Sequence, residues 1–189
     1  VMRHRPVHDI IKDVQANLEA GQKDIILHSE DFFSYGYRSA GPDQRLILDL
    51  VREVKRQKPK TIDVSHLSLA SVYQNQDLLR QVSEIVGVGG DQNHMSAWIG
   101  IESGSCRILR MHMPNKARPA EIEDWPEIVR ECYSLFAEES WLPVASLVLG
   151  LPGERAEDVI KTTELVDSLM DYTGLMLPLF FTTIASAAV

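Results

Sequence analysis

The segments DIILHS (24–29), TIDVSHLSL (61–69), AWIGIE (97–102), VASLVL (144–149) and LMLPLFFTTI (175–184) are short apolar runs, and each is separated from the next by a stretch of helical periodicity. Val7, Ile10, Ile11, Val14 and Leu18 recur on one helical face, with Pro6 suited to a first turn and Gly21 to the position past the helix end. A second helix is expected from about Pro42, with Leu46, Ile47, Leu50, Val51 and Val54 on its apolar face and Pro59 beyond its end. Leu78, Leu79, Val82, Ile85 and Val86 mark a third, closed by GVGG at 87–90. After AWIGIE come a turn, a short helix and a longer helix carrying Trp125, Ile128, Val129, Cys132, Leu135 and Phe136. A last helix carries Val159, Ile160, Leu165, Val166 and Leu169. Strands alternating with helices in units of roughly 30–45 residues imply parallel strands joined by right-handed crossovers. The last run, 175–184, is apolar enough to predict a strand buried on both faces. The fold class is α/β, and either a barrel or an open doubly wound sheet satisfies the alternation.

In both architectures ligands bind beyond the carboxyl ends of the strands. Those ends carry Ser29, Glu30 and Asp31, then Ser65 and His66, then Glu102 to Ser105, then Gly150 to Glu154, and finally Thr182 and Thr183. A polar group on nearly every strand end favours a barrel mouth with a shared pocket. Glu102 ends an apolar strand and is followed by SGS, whose small residues open space and offer backbone and hydroxyl donors. Gly150 and Gly153 allow a tight turn and a close approach of a ligand to the backbone. Glu154 reads as an acid near a helix start, favoured there by the helix dipole, and His66 reads first as a satisfied interior histidine.

The 189 residues, 44% hydrophobic, suffice for one core and read as a single domain, 1–189, or a large part of one. No stretch has the apolar length to span a bilayer, and VMRHRP is not a signal peptide, so a soluble, cytoplasmic chain is expected. A net charge of -8 supplies no broad basic field for nucleic acid. Cys106 and Cys132 are too few and too far apart for a disulfide framework or a metal motif, and Cys132 falls in an apolar helical stripe where a buried thiol is the plain reading.

WIGIESGSCRILRMHMPNK (98–116) followed by PVASLVLGLPGERAEDVIKTTELVDSL (143–169) resembles the fourth- and fifth-strand regions of radical S-adenosylmethionine enzymes, in the branch that contains the methylthiotransferases, the elongator-type proteins and the cobalamin-binding members. RPVHDIIKDV (5–14) is similar to that family's helix after the cluster-binding loop, so the likeness covers almost the whole chain. The resemblance implies a partial (βα)6 TIM-type barrel with strands two to six present. It implies S-adenosylmethionine held across the barrel mouth and chelated to one iron of a [4Fe-4S] cluster, for generation of a 5'-deoxyadenosyl radical. The family's glycine-glycine-glutamate segment, which meets the methionine amine, stands here as HSEDFF, with Ser29 and Glu30 as counterparts and the glycines absent.

By the same resemblance Glu102 takes the place of the acid that accepts the ribose hydroxyls, a role suited to a carboxylate with two acceptor oxygens. Ser103, Gly104 and Ser105 accompany it, Ser65 faces the same rim, and Gly150, Pro152, Gly153 and Glu154 fall where the family accommodates the adenine side. The family binds its cluster through C-x3-C-x2-C in the loop after the first strand, because iron in such clusters takes thiolates. This chain has no such triplet, so the cluster ligands are expected in a strand and loop preceding Val1, and the chain alone is expected to be inactive. The substrate is not legible, and cobalamin is implied only through a further, upstream domain. Two other classes stay open: a barrel enzyme using Glu30, Asp31, Glu102 and Glu154 to hold Mg²⁺, and a non-catalytic binding module.

Overall fold

The structure is a computed structural model that describes residues 4–36 and 43–183. Helix α1 (Val7–Glu19) starts from Pro6 with Asp9 in its first turn, turns Val14 into the core, and gives way to Gly21 at φ 90. It leads into strand β1 (Asp24–Leu27). Helix α2 (Gln44–Arg56) is capped by the Asp43 carboxylate, which accepts from the Leu46 amide at 3.1 Å. Its apolar face buries Ile47, Leu50, Val51 and Val54, and Lys55 and Arg56 complement the dipole at its last turn. The expected start at Pro42 lies outside the described residues.

The next strand is broken in two, β2 (Thr61–Val64) and β3 (His66–Leu67), with Ser65 between them. Leu69, expected to end that strand, instead opens helix α3 (Leu69–Gln74), which is followed by α4 (Gln76–Val86). Gly87 in the left-handed region at φ 78 ends α4, a conformation glycine takes without steric cost. Strand β4 (Met95–Glu102), the short helix α5 (Cys106–His112), helix α6 (Trp125–Glu138), strand β5 (Trp141–Leu149), helix α7 (Ala156–Asp167) and strand β6 (Leu175–Phe180) complete the order.

Every pairing is parallel: β1 with β2, and β3-β4-β5-β6 in sequence order. The chain steps from the first group to the second at Ser65, whose amide donates to Leu27 O at 3.0 Å while its carbonyl accepts from the Trp98 amide at 2.8 Å. The strands therefore follow one another across the molecule in chain order, as βα units do, and the sheets are not closed. Alternate positions differ sharply. Met95, Ala97, Ile99 and Ile101 of β4 are buried with the helices, while Ser96, Trp98, Gly100 and Glu102 belong to the less covered face. Ile26 and Trp98 stand out on that face, with 64% and 46% of their surface exposed.

Strand β6 departs from expectation. It is exposed rather than buried on both faces, and Phe180 keeps 78% of its surface accessible. The reason is its position: β6 is an edge strand paired only with β5 among the described residues, so apolar composition alone does not bury it. Ile184, the last residue of the expected run, lies outside the described residues. No helix among those described is long and apolar enough to cross a membrane.

Candidate functional site

At the β1 end, Ser29 is fastened by its backbone. Its amide donates to Ser65 Oγ at 2.9 Å, and its carbonyl accepts from Ser65 Oγ at 2.8 Å and from His66 Nδ1 at 3.2 Å. The Ser65 hydroxyl is therefore committed to joining two strand ends. His66 is exposed rather than interior, and its Nδ1 donates to the Ser29 carbonyl. The rings of His28, His66 and Trp98 lie in a row, with centroids 6.0 and 6.4 Å apart. Ser29 Oγ is buried without a hydrogen-bond partner among the described residues, a state native structures seldom leave unrelieved.

A cavity of about 700 Å³ runs beside β1, lined by Ile10 and Val14 of α1, by Ile26 and His28, and by Ser29, Glu30 and Asp31. It takes in Ser29 and Glu30 of the expected site but not the β4 and β5 residues, so the polar strand ends do not share one enclosed pocket. Asp31 is a scaffold residue. Its carboxylate accepts from the amides of Phe33 and Ser68 at 3.3 and 3.1 Å and from Ser71 Oγ at 2.7 Å.

Glu102 is the unusual residue of the rim. It is not a glycine, yet its φ is 64, and the β4–β5 register slips between Gly100 and Glu102. A left-handed conformation at such a residue costs on the order of 1–3 kcal/mol and persists only where surroundings enforce it. The conformation returns the carboxylate over Gly100, where a Cβ would collide with it and lie 2.8 Å from Lys116 Nζ. Lys116 Nζ donates to Oε1 and Ser146 Oγ to Oε2, each at 3.2 Å. Lys116 also sits 5.5 Å above the Trp125 ring, whose Nε1 donates to Ile101 O at 3.2 Å. Each carboxylate oxygen is thus engaged once and can accept again.

Ser103, Gly104 and Ser105, expected to face a ligand, instead turn inward against α7, and both serines are fully buried. Thr162 Oγ1 lies 3.1 Å from Ser103 Oγ and accepts from the Gly104 amide at 3.0 Å, while Ser105 Oγ donates to Asp158 at 2.5 Å. Asp158 also accepts from Arg107 Nε at 3.2 Å and from the Arg155 amide at 2.9 Å, and a second, close contact joins it to the same guanidinium. The Arg107 hydrogen bond, aided by those from Ser105 and Arg155, holds the Asp158 carboxyl well below the usual carboxylate range. Asp158 in turn pushes the Arg107 guanidinium upward.

Arg107 also donates to Gly153 O at 2.8 Å, and His112 Nε2 to Pro152 O at 2.9 Å. Gly150 and Gly153 both have positive φ, 78 and 79, and the loop between them is largely exposed. Glu154 lies outside helix α7, whose first-turn acids are Glu157 and Asp158; it closes the loop by accepting from the Gly150 amide at 2.6 Å.

The structure therefore joins Ser29 to Ser65, Glu102 to Lys116 and Ser146, and the β4 loop to the β5 loop through α5 and α7. It does not gather Glu30, Asp31, Glu102 and Glu154, and among the described residues no three His, Cys, Asp or Glu side chains lie together as a metal site would need. Lys116, Ser146, Arg107, Asp158 and Thr162 escape the sequence reading. Only the i, i+4 placement of Asp158 and Thr162 on one helical face hints at a shared partner.

No family model matches the chain. A relative from Methanopyrus kandleri, itself described as an uncharacterized protein, is 24% identical over 165 residues, which cover 86% of this chain and 29% of that protein. The chain thus spans less than a third of the relative's length.

Proposed function

We propose that this chain is most of a radical S-adenosylmethionine core, corresponding to strands two to six of a partial (βα)6 barrel, and that its rim binds the nucleoside of S-adenosylmethionine. The observation that carries the reading is Glu102, an acid at the end of a central parallel strand, held left-handed on the less covered face with 17% of its side chain exposed and with acceptor capacity to spare. A vicinal diol offers two donors to such a group. Two further features support it. Ser29 Oγ is a buried hydroxyl awaiting a partner at the place where the resemblance expects the methionine amine. The outer edge of β1 pairs with nothing among the described residues and borders the 700 Å³ cavity, as fits a further strand at that edge.

Bound at a reduced cluster, S-adenosylmethionine would supply a 5'-deoxyadenosyl radical for hydrogen abstraction from a substrate. The residues of this chain fit the nucleoside and the methionine amine. They do not fit the cluster: the chain has two cysteines, and Cys132 is buried with its thiol pushed up to about 12 by desolvation. The role of this chain's own residues is binding and orientation, with Glu102 on the ribose, Ser29 on the amine and the exposed Gly150–Gly153 backbone beside the adenine.

Thermal-shift titration with S-adenosylmethionine and, separately, with Mg²⁺ tests the reading. Saturable stabilisation by S-adenosylmethionine that is weakened in Glu102→Gln is expected. Stabilisation by Mg²⁺ alone would favour a metal-dependent barrel and overturn it.

A further inference from the structure

Seven-residue helix α5 lies between the two loops that the proposed function assigns to the nucleoside, and it grips the second loop from both ends. Arg107, at its amino end, donates to Gly153 O, and His112, at its carboxyl end, donates to Pro152 O. The first loop is gripped from beneath by α7 through Thr162 and Asp158, and Arg107 completes the circuit by pairing with Asp158. The fit is close. A Cβ on Gly104 would lie 2.5 Å from Lys161 O and 2.8 Å from Thr162 Cα, so the loop backbone rests directly on the helix backbone.

Arg107 is one-third exposed and Asp158 almost wholly buried, so a network of this size needs a reason beyond satisfying its own members. The strained Glu102 supplies one: a residue at φ 64 relaxes unless the segment after it is immobilised, and Ser103 to Ser105 is that segment.

We infer that Arg107 is a positioning residue, and that α5 with Asp158 and Thr162 forms a strut that makes the β4 and β5 loops move as one body and keeps Glu102 in its left-handed conformation. The inference names the device that shapes the proposed nucleoside site and rests on that reading for its functional half. Its mechanical half stands on geometry alone.

Hydrogen exchange measured by mass spectrometry tests the mechanical half without any ligand. Of the two loops Thr162 hydrogen-bonds only the first, yet Thr162→Val should raise exchange severalfold in the peptide covering 150–154 as well as in 103–105, leaving 61–67 unchanged. Arg107→Met should do the same, and its partial exposure favours folding. Exchange that rises in only one of the two loops would overturn the strut.

Calorimetry with S-adenosylmethionine tests the functional half. Arg107→Met should weaken binding about tenfold, Arg107→Lys should recover part of the loss, and in a Glu102→Gln background Arg107→Met should add less than about twofold, the non-additivity expected of coupled residues. Additive losses would remove Arg107 from the positioning of Glu102. A wild-type chain that binds no S-adenosylmethionine would defeat the proposed function, while the exchange experiment would still decide the strut.

Discussion

Replacing Asp158 by Asn keeps the size of the side chain and removes its charge. The wild-type carboxylate receives donors on both oxygens: Ser105 and Arg107 on Oδ1, Arg107 and the Arg155 amide on Oδ2. An amide can satisfy only one side and turns an N–H toward donors on the other. Breaking one partner of a fully buried pair costs about 3–5 kcal/mol. Here Arg107 keeps a third of its surface exposed and can be rehydrated, so screening lowers the expected cost of Asp158→Asn to about 2 kcal/mol. In a chain of this size that corresponds to a melting point lower by about 4–8 °C.

The pH dependence follows from the depressed carboxyl. Its folded-state value lies below the unfolded one of about 3.9, so the unfolded chain binds the proton first as pH falls. The stabilisation is full at neutral pH, holds down to about pH 5, and is lost progressively below about pH 4. Urea unfolding of both proteins at pH 7, 5 and 3 measures this. The difference between them should be constant over the first two values and smaller at the third. A difference below about 0.5 kcal/mol at pH 7, the range of ordinary surface substitutions, or one that grows on acidification, would refute the reasoning.

Gly104→Ala should cost about 1–3 kcal/mol by overpacking, because both close neighbours of the new methyl are backbone atoms that cannot swing away; an unchanged urea midpoint would mean that the loop can lift off α7. In native protein Cys106 should react with a thiol reagent while Cys132 stays protected until denaturant is added, since Cys132 is buried and its pKa is raised to about 12. Two thiols titrating together without denaturant would contradict that burial.

The strands were legible because each is a compact apolar run, and the alternation with helical faces correctly implies parallel neighbours. Boundaries failed where the apolar run outlasts the strand: Leu69 continues the pattern of β3 yet opens α3. Burial failed at β6, where composition describes the residues but not what lies over them. At the rim, Glu102 was legible as an acid ending an apolar strand. The SGS that follows looks from its small residues like open space, yet it is filled by contact with α7. Ser103–Thr162 and Ser105–Asp158 are separated by 59 and 53 positions, and pairings of that range leave no trace in local spacing. Lys116 and Ser146 escaped for the same reason, since only the folded register sets them on either side of one carboxylate.

Acceptance of a ribose by Glu102 is the contact on which the proposed function depends. Calorimetric titration of the chain with 5'-methylthioadenosine and with its 2',3'-dideoxy analogue isolates that contact, because the two ligands differ only in the hydroxyls. Loss of the diol should cost about 1–3 kcal/mol in the wild-type chain, as expected for hydrogen bonds to a charged group, and clearly less in Glu102→Gln, whose amide keeps one acceptor oxygen. Equal affinity of the wild-type chain for both ligands, or a preference for the diol that is undiminished in Glu102→Gln, would contradict it.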